Sequence, residues 1–586
     1  MPKRSYPDIT SPQLRTSWRF GWIDILVVMA MLLLFWLVFS LSGDMRVHFD
    51  ELHPPPLSLD VDMIPYYTAR TVLRMFIAFG ASLLFTFIWG YVAAKSPRAR
   101  KVMLPILDIL QSVPVLGFLS ITVTGFLALF PGSLLGVECA SIFAVFTAQA
   151  WNMTFGFYHS LVTIPAELSE AASIFRLNRW QRFTTLELPT SAIGLMWNSM
   201  MSFGGGWFFV AQSEAITVLN KNIKLPGLGS YMAAAVEAGN TRAALYAIGA
   251  MILTILLIDQ LVWRPLVAWA EKFKLENTEA KDSPQSWMLD LLRRSNVVGW
   301  LFQRIGHFFA RVSQRVSMVA SDVSTSVTRN APTLFKQVLR VALWLAIAAG
   351  IAWLVIDAFG VAREIKTEMT GAEMLHVVWL GILTFLRVLA MMVVATLIWT
   401  PIGVWIGLRP RVARIAQPLA QIAASFPVNM TFPFIVVFFI TMNIPINIGS
   451  ILLMALGTQW YILFNVIAGA MAIPTDLREA AQIFGLRKWR LWKTVIIPAI
   501  FPFWVTGAVT ATGGAWNASI VAEVASWGQN KLVADGLGAY IAHVTEKGDK
   551  PAIYFSIVVM SLFVVVINRV LWRRLYALAE HKFKLD

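Results

Sequence analysis

Two stretches of this 586-residue chain decide how it folds: Ile164-PAELSEAASIFRLNRWQRFTTLEL-Pro189 and Ile473-PTDLREAAQIFGLRKWRLWKTVII-Pro498. Laid one on the other at an offset of about 309 positions, they set Glu170, Ala171 and Ala172 on Glu479, Ala480 and Ala481, and Phe175 on Phe484. Each opens on a proline, which suits the first turn of a helix because the N–H that proline lacks has no partner there. Small alanines then give way to one bulky aromatic, so each stretch predicts a short helix that offers a single apolar knob. Gly485 follows the second knob, where the chain must turn and φ above zero is tolerated. Arg176 holds that place in the first copy, and sterics oppose a side chain there. The first loop is therefore expected either to turn differently or to carry strain.

The duplication extends well beyond the two loops. Gly204-GG-Trp207 falls on Gly513-GA-Trp516, Gly227-Leu228-Gly229 on Gly536-Leu537-Gly538, and Trp263 to Leu275 on Trp572 to Leu585. The chain is 57% hydrophobic and 14% charged, with a mean hydropathy of +0.66, so lipid is its expected solvent. Apolar runs at 22–42, 68–94, 104–130, 138–160, 188–212 and 243–265 predict about six spans, and 338–357, 374–407, 416–442, 446–470, 495–525 and 552–572 about six more. The basic excess of +15 sits in alternate connections, through Lys95, Arg98, Arg100 and Lys101, then Arg176, Arg179 and Arg182, then Arg264, Lys272 and Lys274. Spans seven to twelve repeat the bias with Arg409, Arg411 and Arg414, then Arg487, Lys488, Arg490 and Lys493, then Arg569, Arg573 and Arg574. By the positive-inside rule both loops and both termini are cytoplasmic, and a nucleic-acid partner is a poor explanation of the charge. Two copies that each begin and end on the same side form a parallel pseudo-dimer with a pathway between them.

These readings divide the chain into a tail, first span and outer loop over 1–66, a first domain over 67–275 and a linker over 276–336. An opening span over 337–372 and a second domain over 373–586 follow. In the linker, Trp287, Leu291, Trp300, Phe308 and Phe309 alternate with Arg293, Arg294, Arg304 and Arg311, the pattern of a basic amphipathic helix lying on a bilayer. A solvated connector helix is the alternative. Glu214 and Glu523 hold equivalent places after an apolar helix, where an ionisable group is costly enough to suggest function; a helix end facing water is the competing explanation. Gln111, Asn152, Asn198, Gln421, Ser425 and Asn517 are candidates to line the pathway, although hydrogen bonding between helices explains many such residues. The glycine clusters fit close helix packing, and the lone Cys139 fits an apolar core. No Gly-x-x-x-x-Gly-Lys-Ser/Thr sequence and no metal-ligand spacing of histidines occurs, so catalysis by this chain is unsupported.

The paired loops resemble the EAA motif of binding-protein-dependent ABC importers, and the chain is identified with the permeases of that type, whose domains have the MetI-like fold. The resemblance implies an all-α, multi-pass protein of a bacterial inner membrane. It also implies that Glu170, Ala171, Ala172, Phe175 and Arg176, with Glu479, Ala480, Ala481, Phe484 and Gly485, meet two separate ATPase subunits. Those subunits would bind the ATP and Mg, and a periplasmic binding protein would deliver cargo. Gly513-GAWNASIVAEVASWGQNKLVADGLGAY-Ile541 looks like the closing signature of nitrate, sulfonate, taurine and bicarbonate permeases, with Gly204 to Met232 as its weaker twin. Pro105 to Leu116 and Pro418 to Asn429 look like the proline-bearing helix of the same branch, except that Gln111 and Ala424 stand where members often carry arginine. The rival expectation is a proton-driven secondary transporter using Glu214 and Glu523.

Overall fold

The computed structural model describes residues 21–48, 57–218, 221–273, 286–301, 303–304, 356–528 and 530–582, with 345, 349, 350 and 352 besides. The amino-terminal tail, much of the linker including Phe308, Phe309 and Arg311, and most of the expected span at 338–357 lie outside the described residues.

Most of the apolar runs become helices, some of them through an internal proline or a glycine cluster. In the first half these are α1 (Trp22–Asp44), α2 (Ile64–Lys95), α3 (Pro97–Ser112), α4 (Leu119–Leu129) and α5 (Leu135–Val162). The short α6 (Ala166–Ile174) and α7 (Arg179–Arg182) lead to α8 (Leu188–Glu214), a hairpin of β1 (Ala215–Val218) and β2 (Lys221–Lys224), α9 (Leu228–Glu237), α10 (Thr241–Ile258) and α11 (Arg264–Ala270). The linker contributes α12 (Trp287–Arg294). Residues 356–368 are helical ahead of the second half. That half repeats the order as α13 (Gly371–Gly407), α14 (Pro410–Ser425), α15 (Phe432–Thr441), α16 (Ile446–Met471), α17 (Thr475–Ile483), α18 (Lys488–Leu491) and α19 (Ile497–Ala522). It closes with β3 (Val524–Trp527), β4 (Asn530–Val533), α20 (Leu537–Lys547), α21 (Lys550–Ile567) and α22 (Arg573–Lys582). The offset between copies is about 313 positions in α2 and α13 and about 309 from the short helices onward.

Among the described residues seven helices are long and apolar enough to cross a membrane, or eight if one bent pair counts as a span. The expected spans at 104–130 and 416–442 are not continuous helices. Each breaks at a proline: Val113 and Phe426, the residues before Pro114 and Pro427, sit at ψ 125° and 129°, because proline bars its predecessor from helical geometry. In the second half the break bends the chain by 72°. The two antiparallel hairpins, with Ala215 opposite Lys224 and Val524 opposite Val533, were also not foreseen in an all-helical reading.

Within each half the middle helix is packed by its neighbours, α5 by α2 and α8, and α16 by α13 and α19. The broken helices cross over instead, with α14 against α8 of the first half and α3 against α21 of the second. The hairpins cross over as well, since β1 meets α20 and β3 meets α9. Short helices and basic residues gather at one end of the bundle, here called the basic end; the hairpins mark the other. Near the basic end Asp24, at the start of α1, accepts from Ser295 Oγ at 2.8 Å and from Val297 N at 3.1 Å, which ties the start of the linker to the first helix.

Candidate functional site

The short helices α6 and α17 share one local geometry. Pro165 and Pro474 open them in extended conformation, and the carboxyl end folds back so that Leu177 N donates to Ala172 O at 3.1 Å and Leu486 N to Ala481 O at 2.9 Å. That closure needs a left-handed residue after the knob. Gly485 supplies it at φ 66°, and Arg176 adopts it as well, at φ 51°. Of the two expectations for Arg176, the strained one holds: the turn is conserved between copies, and the side chain bears a steric cost of about 1 kcal/mol. Ala172 and Ala481 face inward and are buried, whereas Glu170 and Glu479 point out and Ala171 and Ala480 are half-buried. Ile174 and Phe175 are 79% and 76% exposed, and Ile483 and Phe484 83% and 80%, so four large apolar side chains stand uncovered on a charged surface.

The supports behind the two helices differ. Behind α6, the fully buried Glu187 pairs with Lys95 and, at 3.1 Å, with Arg182. The equivalents of Lys95 and Glu187 are Leu408 and Ile496, which belong to the apolar core. A charged pair has thus been exchanged for a hydrophobic pair as a unit, which avoids stranding one buried charge.

A cavity lies between the halves, walled by Gly204, Gly205 and Phe208 of α8, Gln421 and Ser425 of α14, and Tyr461 of α16, among others. Among the described residues no acidic, basic or histidine side chain lines it. Of the expected pathway residues it brings together Gln421 and Ser425. Asn517 lies beside it and accepts from Val115 N at 2.8 Å, joining α19 to the broken helix of the other half. Gln111 is exposed on α3, Asn152 donates to Ser202 Oγ at 3.1 Å, and Asn198 donates to Gly194 O at 2.8 Å along its own helix. Tyr461 had not been singled out by the sequence. Its hydroxyl lies close to Gly205 and, like the Gln421 amide, makes no hydrogen bond among the described residues.

Glu214 and Glu523 are not part of that wall. Both are fully buried near the hairpin end, each inside an ion-paired cluster. Glu214 accepts from Arg74 Nη1 at 2.6 Å, Thr71 Oγ1 at 2.7 Å and Gly229 N at 2.7 Å. Glu523 accepts from Arg387 Nη1 at 2.9 Å, Thr384 Oγ1 at 2.7 Å and Ala539 N at 3.1 Å. Each carboxylate therefore caps the amino end of the next helix, where free N–H groups and the helix dipole favour negative charge. The Gly-Leu-Gly pairs follow from this packing. A Cβ on Gly227 or Gly536 would lie 2.3 or 2.2 Å from the carboxylate, and one on Gly229 or Gly538 would strike the backbone of Ala211 or Ser519. The arginines were missed in the sequence, although Arg74 and Arg387 stand at equivalent positions in apolar helices, the signal that marked the glutamates. The first cluster also holds Arg70 and Glu138, with Glu138 Oε2 at 2.5 Å from Arg74 Nε. Their counterparts are Leu383 and Asn447, and Asn447 Oδ1 accepts from Arg387 Nη2 at 2.8 Å. In the first cluster two arginines balance two glutamates, and in the second Arg387 balances Glu523 while the exposed Asp535 accepts from Asn447 Nδ2 at 3.0 Å at its edge.

Residues 82–262 and 399–584 each match the family described as binding-protein-dependent transport system inner membrane component. Over 146 residues, 25% of this chain and 51% of the relative, the sequence is 30% identical to the bicarbonate transport system permease protein CmpB of Synechococcus elongatus. It is 25% identical over 167 residues, 28% of this chain and 56% of the relative, to the nitrate import permease protein NrtB of Leptolyngbya laminosa. It is 25% identical over 195 residues, 32% of this chain and 66% of the relative, to the taurine transport system permease protein TauC of Escherichia coli. The chain thus spans about half the length of the first of these relatives and somewhat more of the others. Because the match occurs twice and takes in more than half of the sequence, the chain belongs to the binding-protein-dependent transport system inner membrane component family, with two copies of its domain in one polypeptide.

Proposed function

We propose that this chain forms the translocation pathway of an ABC importer and passes the work of two separate ATPase subunits to that pathway through α6 and α17. The observation that carries the reading is the doubled apolar knob: Phe175 and Phe484, with Ile174 and Ile483, stand uncovered at equivalent places on the basic end. In this reading the basic end is cytoplasmic in a bacterial inner membrane, and ATP with its Mg is held by the partners. A periplasmic binding protein hands cargo to the hairpin end. ATP binding favours one arrangement of the two short helices over another, and only such a differential affinity can move the halves between inward- and outward-open states.

The cargo is a small anion in the class of nitrate, bicarbonate or a sulfonate such as taurine. Named relatives support that choice, and so do Tyr461 and Gln421, which offer neutral donors to the cavity. Uncharged donors suit transport in that they can bind an anion strongly enough to admit it and weakly enough to let it leave. With Glu214 and Glu523 closed inside ion pairs, the proton-driven alternative finds no carboxylate on the cavity wall among the described residues.

The test is Phe175→Ala with Phe484→Ala in the purified complex. ATPase subunits should dissociate or lose cargo-stimulated hydrolysis by at least tenfold, as expected when central apolar anchors are truncated. Full stimulation in an assembled double variant would end the coupling proposal.

A further inference from the structure

The second half contains another hollow, on its flank and away from the pathway. It measures about 280 Å³ and lies between α13, α19 and the joint of α21 with α22. The repeat explains its origin. At equivalent positions the first half packs Phe76, Phe79, Phe203 and Trp263 into one ring cluster, with centroids between 5.2 and 5.6 Å apart. The second half keeps the tryptophan as Trp572 but has Leu389, Met392 and Thr512 for the three phenylalanines, and these smaller side chains leave the space open.

The hollow opens onto the flank through exposed apolar side chains, so a guest can enter it from the bilayer, and left empty its lining would forfeit van der Waals contacts. Water is a poor guest. Among the described residues the hydroxyls on the wall, Thr396 and Thr512, are already engaged, by Trp504 Nε1 at 3.2 Å and by Ala508 O at 2.8 Å, which leaves the Trp572 indole N–H as a single unpartnered donor where a water needs two or more partners. Apolar cavities of about 150 Å³ stay dry and admit a benzene-sized guest. The mouth is greasy, with Leu389, Val393, Leu397 and Leu571 all exposed. At the basic end of the hollow, Arg569 and Arg573 flank Leu571 and Trp572, exposed and without an ion-pair partner among the described residues.

We propose that this hollow is a lipid site: one acyl chain of an anionic membrane phospholipid fills it, with the phosphate held by Arg569 and Arg573. The site belongs to the second half alone, because aromatic rings fill the equivalent space in the first.

The test uses the assembled transporter with its partner subunits. Native mass spectrometry in mild detergent should count one more retained phospholipid in the wild type than in Leu389→Phe with Met392→Phe and Thr512→Phe, the change that installs the first half's rings. Arg569→Gln with Arg573→Gln should lower the ratio of retained phosphatidylglycerol to phosphatidylethanolamine severalfold. Should the ring-filled variant fail to fold, wild-type protein in vesicles of phosphatidylglycerol bearing a photoreactive acyl chain decides the matter. Labelling at Leu389, Val393 and Leu397 should exceed that at Phe76, Gly80 and Leu84 severalfold. Equal labelling of the two faces, an unchanged lipid count in the filled variant, or a disulfide from Leu397→Cys to a cysteine placed within 338–357 would overturn the proposal, the last by showing that the chain's own segment occupies the hollow.

Discussion

At the scale of single residues, Arg176 and the buried arginines show which local rules this chain breaks and how. Arg176 occupies a left-handed turn at φ 51° that Gly485 fills without strain. Arg176→Gly should therefore stabilise the purified protein by about 1 kcal/mol, and Gly485→Arg should cost a similar amount, both read from thermal unfolding in detergent. The clusters at the hairpin end make a sharper prediction. Glu138→Asn alone leaves Arg70 buried without a carboxylate, and Arg70→Leu alone leaves two buried carboxylates to Arg74, so each should cost about 3–5 kcal/mol. Both together import the arrangement around Leu383 and Asn447, so the double variant should cost far less than the sum, which a double-mutant cycle measures directly. The sequence showed Glu214 and Glu523 as paired oddities in apolar helices, but it could not show that their partners lie about 140 positions away in the chain. Burial and pairing are properties of packing, and one strand of letters does not display them.

At the scale of elements, the helices were legible because apolar runs and their flanking charges are local signals, and the short helices α6 and α17 fall within the two stretches quoted at the outset. What escaped were the breaks at Pro114 and Pro427, masked by apolar residues on either side, and the hairpins, which are held by pairing and by bonds such as Leu225 N to Glu214 O at 2.9 Å. The glycine clusters separate by neighbour rather than by sequence. A Cβ on Gly229 would sit 2.1 Å from Ala211 O, while one on Gly513 would meet nothing within 4 Å. Gly229→Ala should thus abolish a stable fold or cut its yield severely, whereas Gly513→Ala should be neutral or stabilise α19 by up to about 1 kcal/mol through helix propensity. Comparing expression and size-exclusion profiles of the two variants checks both statements.

At the scale of the whole molecule, the halves share an architecture but divide its tasks unequally. Gln421, Ser425 and Tyr461 belong to the second half, and they face Gly204, Gly205 and Phe208 of the first. A Cβ at Gly204 would lie 2.7 Å from Ser425 Oγ, so Gly204→Leu should wedge α8 from α14 at the cavity wall. Uptake into proteoliposomes should fall at least tenfold while the ATPase subunits still copurify; undiminished uptake would place the pathway elsewhere. The duplication itself was plain in the sequence, and the cavity was not, because its wall is assembled from helices more than 200 positions apart.

The exchange of Lys95 and Glu187 for Leu408 and Ile496 also bears on the gene. Two similar segments in one reading frame invite recombination, yet a crossover that set α13 in place of α2 would face Glu187 with a leucine and deprive Glu138 of Arg70. Such a hybrid would leave Glu187 with Arg182 alone and Glu138 and Glu214 to share one arginine, an excess of buried negative charge, whereas a swap that carried α2 through α8 together would keep those couples intact. Selection on folding thus works against exchange between the two segments wherever a crossover falls between partners.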